Sequence, residues 1–387
     1  MKRVLGIVLL ATAASGVAYG FAVTQREASY WRFVEQGDAA LARDDSSAAI
    51  EAFSVAISRK GDSMAAHLKR GEAYRRRREF DAALRDLGRA AEIHPLAVHP
   101  RELLGDVRYA MATSAGSGSQ ASFARAAERY RESVALDNAS PRLQYKLGLA
   151  ACRAGQLPEG ITAVREAIRL DPQMAEAYYV LGLCQRAAQQ PEQAVRSLER
   201  AATLAPTLLA VREELADLYR ALRRHDAALT HLETLVALQP GAARERALGL
   251  GYARAAHFER AVAQLAHVAQ RYPGEAATYV ALGRLWLERA ADGGRVELSK
   301  ALEALERGVD DESGSEAMTL LGRALLLAGD PRRAEQVLQQ AAVRFPVEPT
   351  AFLYLAEAAQ RRGHPVVAHR ALLGYAALVP EAKRGVK

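Results

Sequence analysis

The sequence predicts an all-α protein: a solenoid of about ten helix-turn-helix units behind one apolar N-terminal segment. Three observations carry this reading. Small residues recur at intervals near 34, alanine makes up about a fifth of the 387 residues, and proline closes most of the repeats. Alanine is the strongest helix former, and its short side chain lets helices pack closely. Half the residues are apolar, which argues against disorder, and two cysteines in so long a chain argue against a disulfide scaffold.

Each unit can be justified position by position. The small residues in the first helices (A helices) are Gly37, Gly71, Gly105, Gly148, Gly182, Ala216, Gly249, Gly283, Gly322 and Ala356. Their successive gaps are 34, 34, 43, 34, 34, 33, 34, 39 and 34 residues. In units of ordinary length a second small residue follows 12 positions later: Ala49, Ala83, Gly160, Ala194, Ala228, Ala261, Ala334, Ala368. A larger apolar residue follows 4 beyond that: Phe53, Leu87, Val164, Leu198, Leu232, Leu265, Leu338, Leu372. Lack of bulk on helix A lets helix B approach, and the small residue on B answers it. The larger residue is expected to fill the space towards the next pair. Pro95, Pro172, Pro206, Pro240, Pro273, Pro346 and Pro380 cannot continue a helix and mark the turns between units. One pair cannot cover its own apolar faces, whereas stacked pairs can. The third unit is lengthened around 113–122 and the eighth around 291–297, both expected as loops between helices A and B.

The pattern closely resembles the tetratricopeptide repeat family. The segment AYYVLGLCQRAAQQPEQAVRSLERAATLAP, 177–206, shows its succession of aromatic, Leu-Gly, Ala, Leu, Ala and Pro. The resemblance implies a right-handed α-solenoid that binds proteins or peptides along a groove lined by A helices. It sets expected bounds of 1–29 for an anchor or signal segment, 30–382 for the solenoid and 383–387 for a basic tail. The expected repeats are 30–63, 64–97, 98–140, 141–174, 175–208, 209–241, 242–275, 276–314, 315–348 and 349–382.

The N-terminus is a separate element. Lys2 and Arg3 precede an uncharged stretch over 4–23 whose length matches a bilayer's hydrocarbon core as a helix. An uncleaved anchor is expected, because a signal h-region is usually shorter. A cleaved secretory signal is the alternative, with small residues at Ala11-Thr12-Ala13 and Gly20-Phe21-Ala22. The positive-inside bias places the body across the membrane, and the short cationic anchor and simple architecture set the expectation of a bacterial periplasm.

The net charge of +7 is carried by arginine. Its densest run, Arg75 to Arg78, lacks interleaved aromatics and reads as a solvated basic helix end; anionic lipid or an acidic partner are the other readings. No nucleic-acid partner is expected. Cys152 and Cys184 lie one unit apart, without a C-x-x-C, and read as buried or half-buried thiols; outside the cytoplasm a disulfide is open to them. The nine histidines form no metal-binding or catalytic cluster, and Gly293-Gly294 is no phosphate loop. No catalytic residue, metal or cofactor is expected, so the chain does not read as an enzyme.

Function therefore rests on the groove. The inner wall of the fourth and fifth units is expected to show Arg142, Tyr145, Leu149, Tyr179, Leu183 and Arg186, flanked by Lys146 and Arg153. Apolar anchors beside basic clamps suit an extended peptide or short helix. Packing of the same side chains against neighbouring A helices is the competing reading. The family's chaperone-tail receptors use Lys and Asn on successive A helices; Asn138, the chain's one asparagine, falls at a repeat end and argues against that activity. The expected function is a membrane-anchored scaffold organising partner proteins in a bacterial envelope assembly. A processed periplasmic factor that binds polysaccharide or supports an envelope enzyme is the alternative.

Overall fold

The computed structural model describes residues 23–114, 119–290, 294–310 and 312–379. Among these residues all regular structure is helical, with twenty helices and no strand. None is long and apolar enough to cross a membrane. The expected span at 4–23 lies outside the described residues except for Val23, and so does the expected tail at 383–387.

The chain forms two compact units, Met1–Pro206 and Thr207–Lys387. The first holds α1 (23–42), α2 (Ser46–Arg59), α3 (Met64–Arg76), α4 (Phe80–Ile93), α5 (Val98–Ser114), α6 (Gln120–Leu136), α7 (Pro141–Arg153), α8 (Leu157–Leu170), α9 (Ala175–Ala187) and α10 (Pro191–Leu204). The second holds α11 (Leu209–Ala221), α12 (His225–Leu238), α13 (Ala242–Arg254), α14 (Phe258–Arg271), α15 (Ala276–Ala290), α16 (Arg295–Gly308), α17 (Ser315–Leu327), α18 (Pro331–Ala341), α19 (Thr350–Arg361) and α20 (Pro365–Leu378). Odd-numbered helices are A helices and even-numbered ones B helices.

Local chemistry sets the helix ends. Ser63 and Ser140 accept the amides of Ala66 and Leu143, capping α3 and α7. Prolines sit in the first turn of α8, α10, α18 and α20, where no intrahelical donor is lost. A helices stop on one left-handed residue, at Asp44, Arg78, Gly155, Gln189, Arg223, Ala256, Gly329 and Gly363. The next amide then folds back five residues, as from Gln156 to the Ala151 carbonyl at 2.9 Å, and satisfies an orphan acceptor.

The lengthened units differ from expectation. In the third, much of the extra sequence extends the helices themselves: α5 and α6 have 17 residues each, against 13 and 14 in α7 and α8. In the eighth, part of it lies after α16, in the turn leading to α17, rather than between the A and B helices.

The larger apolar residue of helix B packs towards the next pair, as expected: Leu87 clusters with Leu103, Leu104 and Val107 of α5, and Leu265 with Ala281, Leu282 and Leu285 of α15. It also seats on its own pair's glycine. A Cβ on Gly182 would meet Leu198 Cγ at 2.6 Å, one on Gly71 would meet Leu87 Cγ at 2.8 Å, and one on Gly249 would meet Leu265 Cγ at 2.7 Å. Gly37 with Phe53, Gly148 with Val164 and Gly322 with Leu338 repeat the contact. The lengthened units keep it through Gly105 with Tyr130 and Gly283 with Leu305. All these partners are buried. Where helix A carries alanine instead, at Ala216 and Ala356, the counterparts Leu232 and Leu372 are only half-buried. One methyl group on helix A thus separates a seated side chain from an unseated one.

Two glycine substitutions should move stability in opposite directions. Gly182→Ala forces a methyl into Leu198 and should cost about 1–3 kcal/mol. Gly88, within α4, has nothing within 4 Å of its would-be Cβ, so Gly88→Ala should gain about 0.5–1 kcal/mol. Denaturant melts of both variants check this, and equal shifts would refute the seating contact.

Candidate functional site

The A-helix face of the first unit is built from α5, α7 and α9. Tyr145 and Leu149 on α7 are half-buried and pack, with Cys152, against Ile161 of α8 and Val180 and Leu181 of α9. Tyr179 and Leu183 on α9 are likewise half-buried, while Arg142, Arg153 and Arg186 are exposed. Burial raises the pKa of the Tyr145 hydroxyl, and so, after it, do the neighbouring Glu176, Tyr109 and Tyr179. The structure therefore gathers three tyrosines, one from each A helix, and Tyr109 is one the sequence reading missed. Its unit is the lengthened third, where regular spacing fails to mark which side chains face the wall. Tyr109 packs on the Phe123 ring at 5.3 Å, and the Arg153 guanidinium lies 6.0 Å from the same ring.

Lys146 is not the available clamp that the sequence suggested. Its ammonium lies 2.6 Å from Glu102 and 2.7 Å from Asp106, both on α5, and Arg142 approaches Glu102 at 3.2 Å. Tyr130 of α6 donates its hydroxyl to Asp106 at 2.7 Å. These acids lie 40 or more residues before Lys146, beyond the regular repeat, so no local pattern announces them. The cluster holds α5 to α7 and neutralises the wall locally. The His99 imidazole, 3.6 Å away, and then the Lys146 ammonium outweigh burial and lower the Glu102 carboxyl to about 2. His99 is raised in turn, chiefly by the facing Glu102 carboxylate.

Cys152 and Cys184 are not thiols. They form a disulfide joining α7 to α9, with Cα atoms 5.6 Å apart, which corrects the first of the two readings taken from sequence. Gly160 explains how the bond fits. Its place on helix B is held by alanine in the other ordinary units, but here a Cβ would fall on the Cys152 sulfur and lie 3.0 Å from the Cys152 amide nitrogen. The bond links the two helices that carry Tyr145 and Tyr179, and Cys184 is only 1% exposed.

The arginine run at the end of α3 is laced with acids. Arg76 lies 3.0 Å from Glu72 and Arg77 2.8 Å from Glu79, while Arg78 reaches Ser114. Among the described residues no group of three or more His, Cys, Asp or Glu side chains could hold a metal ion.

Two measurements test these arrangements. Closing a loop over the 32-residue separation should contribute roughly 3–4 kcal/mol by restricting the unfolded chain, so reduction or a Cys152→Ala/Cys184→Ala variant should lower the melting midpoint. Gly160→Ala should destabilise the oxidised wild type and be better tolerated once Cys152 is alanine; equal effects in both backgrounds would contradict the steric account. The acid cluster predicts a pH window. Glu102 is lowered from its unfolded value, so its contribution is complete above about pH 4.3 and is lost as the pH falls towards 2. His99 is raised, so its contribution is complete below about pH 6.5 and fades as the pH climbs through its folded pKa. The stability difference between wild type and Glu102→Gln, on the order of 2 kcal/mol at pH 5–6, should shrink between pH 4.5 and 2. A difference that does not change with pH would remove Glu102 from the acid response.

Comparison with known proteins places these observations in a family. Solved structures similar to this chain include MamA from Desulfovibrio magneticus RS-1, 18% identical over 46% of this chain and 97% of that one, with a TM-score of 0.42. PilF of Pseudomonas aeruginosa is 22% identical over 56% of this chain and 95% of that one, TM-score 0.43. YrrB, described as a TPR protein with an unusual peptide-binding site, is 15% identical over 50% and 95%, TM-score 0.42. No curated protein matches the chain. A tetratricopeptide repeat family model matches residues 34–97, 109–175, 145–208 and 319–383, more than half of the sequence. The chain belongs to the tetratricopeptide repeat family.

Proposed function

We propose that this protein is a scaffold that binds partner proteins or peptides on the A-helix face of α5, α7 and α9. Its solenoid, read as ten repeats over 30–382, is held outside the cytoplasm by an uncleaved anchor at 4–23, in a bacterial envelope assembly. The observation that carries the reading is the half-buried tyrosine face whose two later helices are tied by a disulfide. Three tyrosines offer wide apolar surface with a polar tip, and the cross-link reduces the ordering cost of binding. Tyr145, Leu149, Tyr179 and Leu183 are the anchors in this reading. Arg142, Arg153 and Arg186 meet the partner's carboxylates, while Lys146 positions the wall through Glu102 and Asp106. The disulfide supports the compartment, since such bonds persist where the surroundings are oxidising.

Crosslinking and co-purification from membranes test the site. Tyr145→Ala/Tyr179→Ala should remove anchors worth about 1–3 kcal/mol each and deplete the partner set while leaving the helical circular-dichroism signal intact. If partners survive this change and are lost on altering Arg75–Arg78, binding lies on the turns and the face is misassigned. The anchor is tested by intact mass: the mature chain should retain residues 1–23 and need detergent for extraction, and a chain beginning after Ala13 or Ala22 would refute it.

A further inference from the structure

We propose that the second unit carries an arginine-rimmed cleft that receives acidic side chains from an extended partner segment. The cleft, of about 90 Å³, lies where α11, α12 and α13 meet. Ala216, Leu232 and Gly251 line its apolar part, and Arg220 and Arg254 are among its polar lining. It occurs at one of the two pairs whose A helix carries alanine in place of glycine. Leu232 is not fully seated there and reaches instead to Gly251 of α13, where a Cβ would meet its Cδ1 at 2.7 Å. The space holds a carboxylate and part of its methylene stem.

Arg254 points to the ligand's charge. Arginines at the corresponding place on two other A helices have a structural role: Arg76 donates to the Leu41 carbonyl at 3.2 Å and Arg361 to the Leu326 carbonyl at 2.8 Å. Arg254 makes no such bond and has no ion-pair partner among the described residues. Burial and the like charges of Arg220 and Arg284 lower its pKa instead. Three arginines on the successive A helices α11, α13 and α15 thus bring positive charge together at a net cost to the empty protein. Asp217 pairs with Arg220 at 2.8 Å and Glu316 pairs with Arg284, but both acids are mostly exposed and such surface pairs are weak enough to be exchanged for a ligand. Guanidinium forks grip carboxylates in two-pronged fashion, and the apolar part of the cleft accepts the stem of a glutamate. Packed helices lie about 8–10 Å apart and an extended chain advances about 3.3 Å per residue, so acidic residues about three apart match the arginine spacing.

The experiment uses the whole chain and a fluorescein-labelled peptide with Glu at every third position in a Gly/Ser/Thr background. A Gln-for-Glu version and inorganic tripolyphosphate accompany it. The Glu peptide should bind at least 10-fold more tightly than the Gln peptide, and Arg254→Ala should weaken it at least 10-fold. Arg254→Lys, which keeps the charge without the fork, should fall between. Arg89→Ala, on α4 and paired with Glu92, should not change binding. The melting temperature of Arg254→Ala without peptide should be unchanged or higher, because no bond is lost and a repulsion is relieved. Four results would overturn the assignment: absent or equal binding of the two peptides, no effect of Arg254→Ala, a lowered melting temperature for that variant, or tighter binding of tripolyphosphate than of the Glu peptide through Arg254.

Discussion

The seating of one helix-B side chain on one helix-A glycine is the contact on which the rest depends. It sets how closely the two helices of a pair approach, and so which side chains remain on the A-helix face for use. The chain satisfies it with Phe53, Leu87, Tyr130, Val164, Leu198, Leu265, Leu305 and Leu338, so the glycine is the fixed partner and the incoming residue is adjustable. Dispersion between close-packed carbons falls off steeply with separation, and a gap of one methyl forfeits much of it. Alanine at Ala216 and Ala356 marks where the rule is relaxed, and at the first of these the packing leaves the cleft in the second unit.

The tyrosine face combines two ways of fixing geometry. The Glu102, Asp106, Lys146 and Arg142 cluster joins α5 to α7 through charge, which salt and acid weaken. The Cys152–Cys184 bond joins α7 to α9 covalently and is indifferent to both. One edge of the face is therefore tunable by solution conditions, and the other by redox state.

Much of the fold was legible because each unit repeats the same physical problem. The period identified the A helices, and the prolines at 172 and 206 placed the ends of α8 and α10. What escaped was non-periodic. Tyr130 and Leu305 seat on their glycines at spacings the regular rule does not contain, because lengthened units change the register. Lys146 read as an available cation because its acidic partners belong to the preceding, irregular unit. The disulfide had a faint signal in Gly160, the one glycine in a column otherwise held by alanine, though a missing methyl says only that something comes near. Arg254 carried no signal at all, since what sets it apart from Arg76 and Arg361 is a carbonyl bond that they make and it does not.

The disulfide also closes a covalent ring around α8, and that has a mechanical consequence. Tension applied along the backbone passes from Cys152 to Cys184 through sulfur and leaves the 32-residue separation between them out of the load path. Stretched to its limit, the oxidised chain is shorter by about 110 Å than the reduced one. Under pulling, α8 and α9 as far as Cys184 stay slack while helices outside the ring unravel, and Tyr179, inside the ring, remains tethered to α7.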